Sequence, residues 1–179
     1  MEAYINVLRP WQWLKNLLIF IPYILSENST DSYISDLVII FFIFSAFVSS
    51  TYILNDIKDV AIDRLHPKKK NRPIANGTIE KNTALIYSAS LFMSSLAFSF
   101  YVSTEVGILF TLYGITTFLY STYFKYLFVI DTLCISFMFL IRLLIGGSVS
   151  NISVTIYLAS FIFLTSCILS ISKKLSIIN

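Results

Sequence analysis

Residues 37–54, LVIIFFIFSAFVSSTYIL, run directly into residues 55–64, NDIKDVAIDR. An uncharged apolar run of this length approaches the roughly 20 residues that cross a bilayer as a helix. One amide and three carboxylates follow it at once, at spacings of one, three and four residues. Carboxylates cost free energy beside hydrocarbon and are seldom placed there without a task. At about 100° per residue, Asp56, Asp59 and Asp63 fall within about 60° of one another on a helix, and Asn55 borders that face. If the helix continues to Asp63, four oxygen-bearing side chains point one way where it leaves the membrane. Hard oxygen donors suit Mg²⁺, which keeps part of its water shell and shares substrate phosphates. A solvated loop of mixed charge is the alternative, and the position at the end of an apolar run favours the metal.

Outward from the acidic cluster lies residues 64–77, RLHPKKKNRPIANG. Two prolines and a glycine predict an ordered, turning loop. Its basic residues suit a diphosphate. Lys68, Lys69 and Lys70 fit ordinary cytoplasmic decoration or attraction to anionic lipid equally well, and Arg72, set before Pro73, is the stronger candidate. His66, the one histidine, is given no role.

The whole chain extends the pattern. Of 179 residues, 56% are hydrophobic and 13% charged, and the mean hydropathy is +0.78. A soluble domain carries close to a quarter charged residues, so the expectation is an all-α, polytopic helical membrane bundle. Further apolar runs cover residues 83–103, 106–124, 126–147 and 152–171, and a shorter one, 11–26, holds Lys15 and Pro22. That predicts about six transmembrane helices. Lys and Arg alternate between the links: present before the first run, in 55–82, at Lys125 and at Lys173–Lys174, absent from 27–36 and 148–153. The positive-inside rule then puts the N-terminus and the acidic cluster on the cytoplasmic side of a plasma membrane. The net charge of +3 is distributed by topology, so nucleic acid is not expected as a partner. Cys134 and Cys167 lie inside apolar runs and read as small buried side chains, not as a disulfide or metal ligands. No cleaved signal peptide is expected, because Lys15 interrupts the first run and no small-residue cleavage pattern follows.

Two more groups carry polar chemistry. Tyr120 and Lys125 stand at the end of one apolar run, and Asp131 and Arg142 lie within the next. Asp131 and Arg142 share a helix face about 16 Å apart along the axis. Either that face lines a polar cavity open to the cytoplasm or each residue pairs with another group for packing; the aspartate's place at the acidic end favours the cavity. Residues 9–16, RPWQWLKN, open the first run, and Lys15 and Asn16 reach the same cavity unless Lys15 merely snorkels to the interface.

Together these residues resemble the UbiA superfamily of intramembrane prenyltransferases. Its first aspartate motif, N-D-x-x-D-x-x-x-D, is matched by Asn55, Asp56, Asp59 and Asp63, and its R-P-[IL]-x-x-G by residues 72–77. The likeness is greatest to the decaprenyl-phosphate phosphoribosyltransferase branch. Its R-P-x-Q-W-x-K-N is matched by residues 9–16 and its D-R-x-H-P by residues 63–67. Its Y-S-x-x-x-K, aspartate and F-x-x-R-x-x-x-G-G are matched by Tyr120, Ser121, Lys125, Asp131, Phe139, Arg142, Gly146 and Gly147. The resemblance implies Mg²⁺ held by Asn55, Asp56, Asp59 and Asp63, with the three aspartates catalytic. It implies substrate binding by Lys15, Asn16, Arg72, Tyr120, Lys125, Asp131, Arg142 and Lys173. The implied partners are phosphoribosyl diphosphate and a polyprenyl phosphate, or a prenyl diphosphate in the aromatic-alkylating members, within membrane lipid; self-association stays open. The family fold has about nine helices and a second motif that in this branch resembles K-R-x-x-E-L. Here residues 173–178 read KKLSII, with Ile177 at the glutamate position. Residues 1–179 are therefore expected to form a single UbiA-like transmembrane domain that lacks the last three helices.

Overall fold

The computed structural model describes residues 2–27 and 32–178, with the side chains of Phe128, Ile177 and Ile178 outside the described set. Ile177, singled out above, lies in the last helix. Among the described residues there are helices and no strands. Helix α1 (Glu2–Leu8) leads into a 3₁₀ helix (Pro10–Phe20) and the short α2 (Ile21–Ile24). Then come α3 (Ser32–Lys58), α4 (Val60–Leu65), α5 (Lys81–Val102), α6 (Thr104–Thr122), α7 (Phe128–Val149) and α8 (Ile156–Ile178).

Four of these are long and apolar enough to cross a membrane: α3, α5, α7 over Val129–Val149, and α8 over Ile156–Ser176. The expected count of six is not confirmed. Helix α6 runs 19 residues, but Glu105, Thr111, Tyr113, Thr116, Thr117 and Tyr120 dilute its apolarity. The first apolar run is no continuous α-helix: it winds as 3₁₀ from Pro10 to Phe20 and passes into α2 beside Pro22.

Helix α3 is the hub. Its middle turns bury Phe44, Ser45, Phe47, Val48, Ser49, Ser50 and Thr51. Between helices in lipid there is little hydrophobic gain, so close packing and interhelical hydrogen bonds hold them together. Both are present. Phe44 meets Phe110 and Tyr113 edge-on at centroid distances of 5.0 and 4.9 Å, contacts worth about 0.5–1.5 kcal/mol each. Ser88 of α5 donates to the Ser50 carbonyl at 2.8 Å. The 3₁₀ segment is pinned at two levels: Trp13 Nε1 donates to Ser49 Oγ at 3.0 Å, and Asn16 Nδ2 to Ser45 Oγ at 2.9 Å. On its other side it lies against α7 where only glycine fits, since a Cβ on Gly146 would stand 1.9 Å from the Ile19 carbonyl oxygen.

Candidate functional site

The acidic run does not continue as one helix. Helix α3 ends at Lys58, and Asp59, with φ −92° and ψ 6°, links it to α4. Amide bonds from Asp59 to the Asn55 carbonyl (2.9 Å) and from Asp63 to the Asp59 carbonyl (2.8 Å) keep the chain almost helical through the joint. Asp56 and Asp63 still share a face, and both are buried, at 4% and 1% exposure. Asp59 diverges: its half-exposed carboxylate meets Lys125 at 3.8 Å. Asn55 turns toward α6 and accepts a hydrogen bond from Ser121.

Two buried carboxylates would repel each other without a cation between them. Here the cation is Arg72. One of its nitrogens, Nη1, lies 3.0 Å from Asp56 Oδ1 and 2.6 Å from Asp63 Oδ2. Those oxygens are thus at most 5.6 Å apart, the two contacts laid end to end. Arg9 also donates to Asp56, and Lys69 stands 3.9 Å from Asp63. The loop that delivers Arg72 is shaped by its own residues: Ile79 donates back to the Pro73 carbonyl at 2.9 Å, and Gly77 takes φ +84°, where a side chain would be strained. Arg9 itself sits at φ 55°, a costly conformation for a residue with a Cβ, and is held there by Asp56 and by the Tyr52 ring 5.4 Å away.

Among the described residues, no three His, Cys, Asp or Glu side chains gather to hold a metal ion. Of the four residues expected to hold a metal, Asn55, Asp56, Asp59 and Asp63, this arrangement brings Asp56 and Asp63 together and turns the other two toward neighbouring side chains. Asp59 meets Lys125 and Asn55 accepts from Ser121. The Asp56–Asp63 pair nevertheless fits a divalent cation in its donor chemistry, since hard carboxylate oxygens already flank one positive group.

Beside the acidic pair, α3, α6, α7, α8 and the 3₁₀ segment enclose a cavity of about 420 Å³. Lys15, Tyr52, Asn55, Tyr120, Arg142 and Lys173 are on its wall, and no carboxylate is. Lys15 lies within electrostatic reach of both Arg142 and Lys173. Arg142 is 3% exposed and fixed on three sides: Nε to Asn16 Oδ1 at 2.9 Å, Nη1 to the Met138 carbonyl at 2.8 Å, and Nη2 to the Tyr113 hydroxyl at 2.7 Å. The rings of Phe44, Tyr113 and Phe139 surround it. Of its five N–H donors, two remain for a ligand. Ser170, also on the wall, has a buried hydroxyl with no partner. Cations without a counter-charge around one cavity suit an anion.

The structure therefore gathers Lys15, Tyr120, Arg142 and Lys173 at one cavity and leaves others aside. Asn16 sits behind Arg142 and orients it. Arg72 and Lys125 are bound to the aspartates. Asp131, expected on the cavity face, is buried against Lys174 at 2.6 Å, close to Tyr120, with its second oxygen unpartnered. Sequence reasoning passed over Arg9, Tyr52, Tyr113 and Lys174. Tyr52 was findable, because it precedes Asp56 by one helical turn; Arg9 and Tyr113 meet their partners only through the tertiary fold.

Residues 17–174 match the UbiA prenyltransferase family. The chain is 32% identical over 153 residues to the decaprenyl-phosphate phosphoribosyltransferase of Mycolicibacterium smegmatis, covering 83% of this chain and 48% of that protein. It is 30% identical over 176 residues to the digeranylgeranylglyceryl phosphate synthase of Methanosphaera stadtmanae, covering 98% of this chain and 63% of that protein. The chain spans about half the length of the phosphoribosyltransferases it matches. The fold is that of a UbiA homolog from Archaeoglobus fulgidus bound to DMAPP and Mg²⁺, with a TM-score of 0.78 at 20% identity over 92% of this chain and 60% of that one.

Proposed function

This chain belongs to the UbiA prenyltransferase family, and on that premise we propose that it is the membrane part of a transferase moving phosphoribose from phosphoribosyl diphosphate to a polyprenyl phosphate. The observation that carries the proposal is the juxtaposition of an acid-free cationic cavity, bearing Lys15, Arg142 and Lys173, with a buried carboxylate pair whose Asp56 directly follows the cavity residue Asn55 on α3. The donor's diphosphate and 5-phosphate bring several negative charges, and this cavity offers several positive ones. The phosphoribosyltransferase relatives at 29–32% identity support the choice of substrates.

In this proposal Asp56 and Asp63, with Asp59 and Asn55, would hold Mg²⁺, which would supply positive charge to the leaving diphosphate. Arg72 releases its two carboxylates and grips phosphate oxygens instead, as a guanidinium does well. Lys15, Lys173 and the two spare donors of Arg142 bind the donor's phosphates in the cavity, with Tyr120 on its wall and Lys125 beside Asp59. The C1–O bond of the donor breaks, diphosphate departs with the electron pair, and an oxygen of the lipid phosphate bonds to C1. The site faces the cytoplasm of a plasma membrane, and residues 1–179 make one UbiA-like unit. Release of diphosphate from phosphoribosyl diphosphate, dependent on both Mg²⁺ and polyprenyl phosphate, tests the proposal; no release from a longer relative with the same residues refutes it.

The 30% identity to a digeranylgeranylglyceryl phosphate synthase over 98% of the chain favours one second reading, prenyl transfer from a prenyl diphosphate. Product formed from a prenyl diphosphate, with none from phosphoribosyl diphosphate, selects it.

A further inference from the structure

A second cavity lies outside the bundle, where α3, α5 and α6 leave a groove of about 740 Å³. Its accessible walls are almost wholly apolar, and Met93, Ile115 and Phe118 are 64, 52 and 67% exposed. Its polar end holds one ammonium, Lys58, and its lining contains no carboxylate. Lys58 reaches the Ser121 carbonyl at 3.5 Å. Three residues, Thr51, Asn55 and Thr117, belong to the walls of both this groove and the cationic cavity. The partition is therefore one layer of side chains thick, and the Asn55–Ser121 hydrogen bond lies along it.

We propose that this groove seats the acceptor lipid: the isoprenoid chain lies between α5 and α6, and its phosphate rests at Lys58 against the partition. The proposal deepens the phosphoribosyl-transfer reading and rests on it. Charge selects the occupant. A single chain ending in a phosphate matches a trough whose accessible walls are apolar and whose end carries one cation. Position selects it too, since a lipid that merely coats the protein has no need of a groove abutting the acidic cluster. Lys58 is the last residue of the apolar α3, and the end of a spanning helix is where a lipid phosphate stays hydrated while its chain stays in hydrocarbon.

The test uses the full chain in phosphatidylcholine nanodiscs and counts retained lipid by native mass spectrometry, with decaprenyl phosphate and phosphatidylglycerol as probes. Wild type should retain decaprenyl phosphate. Ala89→Trp, which fills the groove, and Lys58→Glu, which reverses its charge, should each reduce that retention about tenfold or more. Ile115→Trp, on the opposite wall, serves if Ala89→Trp fails to fold. Binding of phosphoribosyl diphosphate should be unchanged in all three. Equal retention by wild type and variants overturns the proposal. So does phosphatidylglycerol held as well as decaprenyl phosphate, or photo-crosslinking from position 89 to a second copy of the chain. Groove-dependent lipid retention without product would uphold the groove and refute the transfer reading; wild-type product formation in the filled variants would do the reverse.

Discussion

Arg72→Met should destabilise the divalent-free protein by about 3 kcal/mol. The magnitude follows from the geometry. One nitrogen of Arg72 serves Asp56 at 3.0 Å and Asp63 at 2.6 Å, and both carboxylates are nearly inaccessible to water. Removing one partner from a buried ion pair costs about 3–5 kcal/mol. The lower end applies because Arg9 still reaches Asp56 and Lys69 still stands 3.9 Å from Asp63. For a chain of this size that corresponds to a melting temperature lower by roughly 6–12 °C. A divalent ion taking the place of the guanidinium should recover more stability in the variant than it adds to the wild type. The assay is thermal melting in detergent, followed by circular dichroism, in EDTA and then in Mg²⁺. A variant melting within about 2 °C of wild type in EDTA, or an equal Mg²⁺ shift in both proteins, refutes the idea that Arg72 fills a cation's place.

Gly146→Ala should cost at least about 1–3 kcal/mol, because the new methyl would meet the Ile19 carbonyl; an unchanged melting curve would mean that the 3₁₀ segment and α7 part freely. Arg142→Leu should weaken binding of phosphoribosyl diphosphate by about ten- to a hundredfold in titration calorimetry, the loss of one to two charged hydrogen bonds. Arg142→Lys should not restore it, since an ammonium cannot serve Asn16, Met138 and Tyr113 as a planar fork does. Diphosphate release should stop in EDTA and return with Mg²⁺, and Asp56→Asn should raise the Mg²⁺ concentration needed for half-maximal release; an unaltered requirement would remove Asp56 from the metal.

Sequence alone revealed the helical membrane architecture, because hydrocarbon imposes both a length and a composition on whatever crosses it. Family membership was legible from Asn55, Asp56, Asp59 and Asp63 with the Arg72–Gly77 turn. The exact helix inventory was not, since α6 mixes threonine and tyrosine into an apolar run and Pro10–Phe20 chose a tighter wind. On an ideal helix Asp56, Asp59 and Asp63 share one face; Asp56 and Asp63 keep it, while at Asp59 φ −92° and ψ 6° leave the helical values at the α3–α4 joint and its carboxylate meets Lys125. The pairings of Arg72 with Asp56, Lys174 with Asp131 and Arg142 with Asn16 join residues 16, 43 and 126 positions apart, and no local pattern encodes such distances.

The tight winding of Pro10–Phe20 has a geometric corollary. A 3₁₀ helix advances about 2.0 Å per residue and an α-helix about 1.5 Å. These eleven residues therefore stretch roughly 22 Å where an α-helix would give roughly 16 Å, and with α2 a short hydrophobic stretch nearly matches the thickness of the oily layer. The two periods are also commensurate, for three residues of one and four of the other each advance about 6 Å. Trp13 and Asn16 thereby meet Ser49 and Ser45 like teeth of equal pitch, and relaxing this rod to α would throw the second tooth out of mesh.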